Sequence, residues 1–257
     1  MNSTKQAFIL AAGLGTRLQP LTTTRPKALV EVAGEPMLAI VIKRLISLGF
    51  VDLVINVHYF SDQILIYLKE HNNFGVNIFI SDESGKLLDT GGGIMQASQF
   101  FRKDSPVLIH NTDVLSDIDL DAFMDYHIRS DALVSLAVQK RQSSNYLMFD
   151  SDGVLCGWKN VLNGRERISR IGRGDLRPLG FSGIHMINPE LMDVARQAGC
   201  LKADQDVFSI IGTYLCLAKS RKLLAYDHSG TFWMDIGKHE QLEKAGTLIK
   251  EGHYKPY

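Results

Sequence analysis

Apolar runs of strand length alternate along this chain with longer segments of helical period, and this alternation restricts the fold more than any other feature. A run that is apolar on consecutive positions must be covered on both faces, and the intervening helices supply that cover. The pattern therefore predicts an α/β chain built on a largely parallel sheet. Strands are expected over 7–10, 53–57, 77–81, 107–110, 132–139 and 180–186. Helices are expected over 37–48, 61–70, 93–100, 121–129, 189–197, 207–218 and 239–251. Residues 149–177 break the rhythm: Asp152-Gly153 and Asn163-Gly164 are hairpin turn signals, and several glycines and arginines surround them. That stretch is expected to be a β-rich, flap-like insertion, because the sheet pattern resumes at Gly180.

At 257 residues, one large domain over 1–257 is the expectation. Hydrophobic residues make up 45% and charged residues 22%, ordinary for a globular chain and unlike a disordered one. Lys+Arg and Asp+Glu both number 28, so no global field draws the chain to a polyanion, and neither nucleic acid nor a membrane is an expected partner. The opening MNSTKQAFILAAG has too short an apolar run for a signal peptide or a spanning helix, and a cytoplasmic location follows as an expectation. The cysteines, Cys156, Cys200 and Cys216, are odd in number and lack C-x-x-C spacing. Reduced, mostly buried thiols are expected, with neither a disulfide framework nor a zinc site.

In an open parallel sheet, ligands bind beyond the carboxyl ends of the strands. The first such place is FILAAGLGTRLQPLTTTRPKALVEVAG, residues 8–34. Ala11, Ala12, Gly13 and Gly15 keep side chains away so that backbone N–H groups can approach phosphate, while Arg17 and Lys27 bring charge. Leu18 stands where a dinucleotide-binding turn has its third glycine, and Thr16-Arg17-Leu18 before Pro20 is not a Walker A loop. Neither standard phosphate fingerprint fits, and a nicotinamide dehydrogenase is disfavoured.

The whole string, A-A-G-x-G-T-R-L-x-P-L-T followed by P-K-A-L-V-x-V-x-G-x-P, resembles the signature of the sugar-1-phosphate nucleotidyltransferases. The resemblance implies a Rossmann-like three-layer sandwich with a mainly parallel, mixed central sheet. It also implies an enzyme that joins a nucleoside triphosphate to a sugar 1-phosphate, releasing pyrophosphate, with Mg2+ as cofactor. Oligomeric state is not readable.

The resemblance assigns roles residue by residue. Ala11, Ala12, Gly13, Gly15 and Thr16 would hold the nucleotide, with Arg17 and Lys27 catalytic. In VLIHNTDV, Asp113 would be a catalytic metal ligand, although Thr112 replaces the usual glycine and is expected to bring a Cβ close to the nucleotide. In GTFWMDIGKHEQ, Asp235 would be the second metal ligand, and Lys238 in place of a hydroxyl residue costs the final helix a cap. In LLDTGGGIMQA, Thr90, Gly91 and Gly92 would form a loop over the base. An acid-Thr-Gly-Gly-Gly-Ile word is similar to that of uridylyltransferases acting on N-acetylmuramate 1-phosphate. Asn56, Glu83, Ser182 and Gly183 are the candidates for sugar contacts. The family's Glu-Lys-Pro word, whose lysine grips the sugar phosphate, is absent, and Lys159, Arg141, Arg165, Arg167, Arg170 and Arg173 remain candidates for the task.

The nucleophile would be a phosphate monoester, already ionised at neutral pH, so no general base is required; the difficulty is anion approaching anion, which cations must relieve. Thymidylyl, guanylyl or cytidylyl transfer, and a non-catalytic nucleotide-binding relative, are the alternatives. His58, His110 and His185 show no ligand spacing and are expected to be hydrogen-bonded core or rim histidines.

Overall fold

The computed structural model describes residues 4–257. Its strands are β1 (Lys5–Leu10), β2 (Glu31–Val32), β3 (Glu35–Pro36), β4 (Phe50–Val57), β5 (Asn77–Asp82), β6 (Val107–Asn111), β7 (Val114–Ser116), β8 (Val134–Gln139), β9 (Asn145–Phe149), β10 (Leu155–Asn160), β11 (Glu166–Ile168), β12 (Arg177–Ile187), β13 (Leu223–Asp227) and β14 (Trp233–Asp235). Its α-helices are α1 (Met37–Ser47), α2 (Ser61–Glu70), α3 (Asp89–Ala97), α4 (Leu120–Ser130), α5 (Leu191–Gln197), α6 (Ile210–Leu217) and α7 (His239–Lys250).

The main sheet runs β11-β10-β9-β12-β6-β1-β4-β5, with β8 and then β13 added beside β12. Pairs β1–β4, β1–β6, β4–β5 and β8–β13 are parallel, while β12 is antiparallel to β6, β8 and β9. This is the expected mainly parallel, mixed sheet. β1 lies between β6 and β4, so the chain leaves β1 towards one side and returns to its other side at β6. Such a reversal opens a crevice at the carboxyl ends of the two strands.

Two apolar layers close the sheet. On one face Phe8, Ile109, Ile94, Phe101 and Tyr214 pack with α3, α5 and α6. On the other, Ala7, Ile9 and Ile55 pack with Leu38, Leu45, Ile64 and Phe123 from α1, α2 and α4. Adjacent β1 residues fall in opposite layers, as the two-residue period of a strand buried on both faces requires. A third cluster, with Leu18, Val30, Met37, Leu115, Ile236 and Tyr254, pins the long loop after β1 against α1 and α7. Leu18 is thus a packing anchor where a dinucleotide fold would have glycine.

The expected strands and helices recur with local differences. The helix expected over 93–100 begins at Asp89 and includes all three glycines. The helix expected from Pro189 starts at Leu191, and the one expected from Val207 starts at Ile210. β13, absent from the expectation, follows α6 after a short turn. The segment 149–177 carries β10 and β11, with Gly153 and Gly164 at positive φ in the two turns; both strands extend the main sheet through β9. The thiol expectation is overturned for one pair: Cys200, in the turn after α5, and Cys216, within α6, form a disulfide, while Cys156 is free and buried. The two helices bring together residues that no sequence spacing joins. No helix among the described residues is long and apolar enough to cross a membrane.

Candidate active site

The loop after β1 is set by hydrogen bonds from below. Asn56, buried at the end of β4, accepts from the N–H groups of Ala11 (2.6 Å) and Ala12 (3.2 Å) through its Oδ1. Its Nδ2 donates to Glu83 Oε1 at 2.7 Å, and Glu83 Oε2 accepts from Leu88 N–H at 3.1 Å. Burial raises the Glu83 pKa, while the Asn56 and Leu88 bonds lower it less. Asn56 and Glu83, expected at the sugar, therefore form the floor of the glycine turn, although both also line the cleft above it. With Ala11 and Ala12 committed downward, the N–H groups from Gly13 to Thr16 have no hydrogen-bond partner among the described residues.

Gly15 is required for two reasons. Its φ is +66°, and a Cβ there would lie 2.8 Å from Lys27 Cβ and 2.9 Å from Thr22 Cγ2. The Lys27 stem runs beside this glycine, and its ammonium forms an ion pair with Asp113, both side chains being largely enclosed.

Asp113 follows β6, and Asp235 ends β14. The short antiparallel pair β7–β14 sets Asp235 opposite Val114, and Ile236 N–H donates to the Asp113 carbonyl at 2.8 Å. A Cβ on Gly237 would lie 2.9 Å from each of Arg17 Nη2, Asp113 Oδ2 and Asp235 Oδ1. Glycine at 237 is thus what lets a guanidinium and two carboxylates share one gap. Arg17, Lys27, Asp113 and Asp235, scattered in sequence, meet here. Two carboxylates that face one gap are a donor set suited to a hard divalent cation that keeps water and phosphate oxygens as its other ligands. Among the described residues no group of three or more His, Cys, Asp or Glu side chains comes together.

Several expected residues take other places. Thr112 does not crowd the cleft: it is buried, and its hydroxyl donates to the Leu10 carbonyl at 2.6 Å, tying the end of β6 to the start of the glycine turn. Thr90 lines the cleft, and its Oγ1 accepts from Ile210 N–H at 3.0 Å at the start of α6. Gly91 and Gly92 lie beneath, donating their N–H groups to the Phe208 carbonyl at 2.8 and 3.3 Å. A Cβ on Gly91 would meet the Phe208 ring and one on Gly92 the Asp206 carbonyl, so these glycines admit the 206–210 segment against the helix. Ser182 is fully enclosed, its hydroxyl paired with His228 Nε2 at 2.8 Å. Gly183, at φ +72°, sits where a Cβ would press on Asn111, which lines the cleft. Lys238 caps α7 with no side-chain hydrogen bond, as its residue type implies.

The cleft over the glycine turn has a volume of about 440 Å³ and is lined by Gly13, Lys27, Asn56, Glu83, Asp113 and Val207, among others. A second, of about 570 Å³, lies over β9, β10 and β12, walled by Tyr146, Trp158, Phe181 and Leu215 with Arg141 and Arg167. Val207 and Ser209 put one short segment against both clefts. The aromatic wall escaped sequence reasoning. Its signal is cross-strand register, with Trp158 opposite both Leu147 and Arg167, which becomes visible only when strands pair.

His110 and His185 are fully buried, and burial depresses their pKa values to about 4 and about 3. His58 lies at the rim, its Nδ1 2.6 Å from the Glu83 carbonyl. His58 and His110, whose Nδ1 lies 2.8 Å from the Asn111 carbonyl, are the expected hydrogen-bonded rim and core histidines, whereas His185 is a core histidine with no hydrogen-bond partner at either ring nitrogen among the described residues.

A switch-point crevice with free backbone N–H groups, two cations and a carboxylate pair offers the donors and charges that suit a phosphate ligand on an α/β sheet. Residues 6–155 match the family model described as Nucleotidyl transferase, and the chain belongs to that family. It is 31% identical over 239 residues to the N-acetylmuramate alpha-1-phosphate uridylyltransferase of Caulobacter vibrioides, covering 91% of this chain and 92% of the relative. It is 29% identical over 253 residues to a mannose-1-phosphate guanyltransferase of Debaryomyces hansenii, covering 95% of this chain and 64% of that longer protein. HddC from Yersinia pseudotuberculosis, solved with GMP-PN, shares the fold with a TM-score of 0.72 at 20% identity, over 96% of this chain and all of that one.

Proposed function

We propose that this protein transfers a uridylyl group from UTP to N-acetylmuramate 1-phosphate, releasing pyrophosphate, in the cytoplasm. The observation that carries the nucleotidyl transfer is the convergence of Arg17, Asp113 and Asp235 on the gap beside Gly237, with Lys27 paired to Asp113. Support for the particular substrates comes from the Caulobacter relative, similar over nearly the full length of both chains, and from the Asp-Thr-Gly-Gly-Gly-Ile word at 89–94.

The acceptor phosphate is ionised at neutral pH and attacks the α-phosphorus directly, so no side chain need take a proton. Free N–H groups between Gly13 and Thr16 receive phosphate oxygens of the triphosphate. Arg17 and Lys27 oppose the charge that gathers on the leaving pyrophosphate. Asn56 holds the turn still, so its donors need not reorganise as charge shifts. Asp113 and Asp235 are the residues that would hold Mg2+, which when bound supplies charge neutralisation between the two phosphates. Catalysis in this reading is alignment plus electrostatics.

The test is pyrophosphate release in Mg2+ from a matrix of UTP, dTTP, CTP, GTP and ATP against N-acetylmuramate, N-acetylglucosamine, glucose and mannose 1-phosphates and phosphocholine. Release requiring UTP with N-acetylmuramate 1-phosphate is expected. Another productive pair would transfer the mechanism to other substrates, and silence across the matrix despite nucleotide binding would favour a non-catalytic relative.

A further inference from the structure

Arg141 stands out among the arginines left open by the missing Glu-Lys-Pro word. Arg173 forms an ion pair with Asp152, and Arg170 donates to the carbonyls of Ala218 and Arg221. Arg141 has no ion-pair partner among the described residues, yet it is partly buried. Its guanidinium lies 4.0 Å over the Trp233 ring, its Nη2 donates to the Phe181 carbonyl at 2.7 Å, and its buried Nε has no partner. Room for it exists because residue 180 is glycine: a Cβ there would lie 2.9 Å from Nε and 3.0 Å from Cζ. Burial lowers its pKa, and the charge of Asp235 acts against that effect.

A half-buried guanidinium whose hydrogen bonds go only to two main-chain carbonyls, those of Phe181 and, at 3.4 Å from Nη1, Gln142, and which no carboxylate contacts, keeps most of its five donors unspent and its charge uncompensated, which is costly unless an anion arrives. The ring beneath it belongs to Trp233, two residues before Asp235 on the same strand. It therefore stands where the aromatic-walled cleft of about 570 Å³ approaches the carboxylate pair. Tyr146, Trp158 and Phe181 on that wall suit the apolar faces of a pyranose, and a planar fork suits a phosphate.

We infer that the aromatic-walled cleft is the acceptor's seat and that Arg141, held between Trp233 and Gly180, binds the acceptor's phosphate and presents it to the nucleotide. This rests on the acceptor being a sugar phosphate. The arginine then performs the task that a lysine word performs in relatives, from a different position in the chain: the loop after β8. Stacking on Trp233 fixes the fork before the substrate comes.

The test is calorimetric binding of UTP, N-acetylmuramate 1-phosphate, N-acetylglucosamine 1-phosphate and glucose 1-phosphate to the wild type, Arg141→Gln and Arg141→Lys, with KM values for every productive pair and a thermal melt of each variant. Arg141→Gln is expected to weaken the sugar phosphates about tenfold or more, the loss of one charged hydrogen-bonding partner, while UTP affinity holds; Arg141→Lys restores part of the loss. An equal loss for the muramate and glucosamine compounds assigns the phosphate, since only the former has a carboxylate; a loss confined to the muramate compound overturns the phosphate role. Weakened binding of a different sugar phosphate, with none for the muramate compound, sinks the proposed substrate and keeps Arg141. Undiminished sugar-phosphate binding in a folded Arg141→Gln protein overturns Arg141 alone, and no sugar-phosphate binding by any variant overturns both.

Discussion

Asp113, just before β7, and Asp235, at the end of β14, reach the same gap because those two strands pair backbone to backbone, the Asp113 carbonyl accepting the N–H of the residue that follows Asp235. The position of each carboxylate is therefore set by main-chain hydrogen bonds, and an amide substitution should leave that frame standing. Asp113→Asn and Asp235→Asn are each expected to lower kcat by about 10²–10³-fold, the scale of losing one preorganised charge-stabilising group. Thermal melts should stay close to the wild type. Wild-type turnover in either variant would remove the carboxylate pair from the mechanism.

Asn56→Ala tests whether the glycine turn is held from below. The change strands the N–H groups of Ala11 and Ala12 and one oxygen of Glu83 in a buried place. A loss of about 1–3 kcal/mol in stability follows, together with a higher KM for the triphosphate and a smaller change for the acceptor. Urea titration and steady-state kinetics read the two effects separately.

Gly91→Ala separates helix propensity from packing. In an isolated helix the change would stabilise by about 1 kcal/mol. Here the new Cβ would meet the Phe208 ring, so a net destabilisation of about 1–3 kcal/mol is expected from overpacking. A protein stabilised by this substitution would show that the 206–210 segment does not press on α3.

The buried histidines set an acid limit. His110, His185 and His228 have pKa values depressed by burial to about 4, about 3 and about 4, whereas an unfolded histidine titrates near about 6.5. The unfolded chain binds these protons first, so the stabilising contribution is complete above about pH 6.5 and is lost as pH falls towards about 4. His185 has no hydrogen-bond partner at either ring nitrogen and packs between Phe181 and Tyr214. His185→Phe is expected to flatten the acid limb of a melting-temperature profile and to hold or raise stability at pH 7. An unchanged slope would mean that this ring does not titrate on unfolding.

Much of this arrangement is readable in the linear chain, and the parts that are not share a cause. β1, β4 and β6 announce themselves because burial on both faces demands unbroken apolar runs, and β5, a partly exposed edge strand, still shows a short apolar run at Ile78, Phe79 and Ile80. β7 and β14 are only three residues each, too short for any period to register, yet their pairing is what brings Asp235 to Asp113. The triple glycine looks like a loose turn because glycine disfavours helix; the chain makes it helical where Phe208 and Asp206 leave no room for a Cβ. Thr112 resembles an intruder in the nucleotide site until its hydroxyl is found on Leu10. Cys200 and Cys216 carry no spacing signal, since α5 and α6 alone make them neighbours.

The sequence by itself determined the layered α/β plan and the glycine-rich turn after β1, because burial period and backbone stereochemistry are local properties that residue types record; Arg17, Lys27, Asp113 and Asp235 stand out in it only through the resemblance to the nucleotidyltransferase signature. Tertiary structure alone decided that these four groups meet beside Gly237, that Asn56 and Glu83 support the turn, and that Arg141 stands over Trp233 unopposed by a contacting carboxylate. Those relationships depend on strand pairing across long sequence separations, where electrostatics and close packing act between residues that carry no mark of one another in the chain.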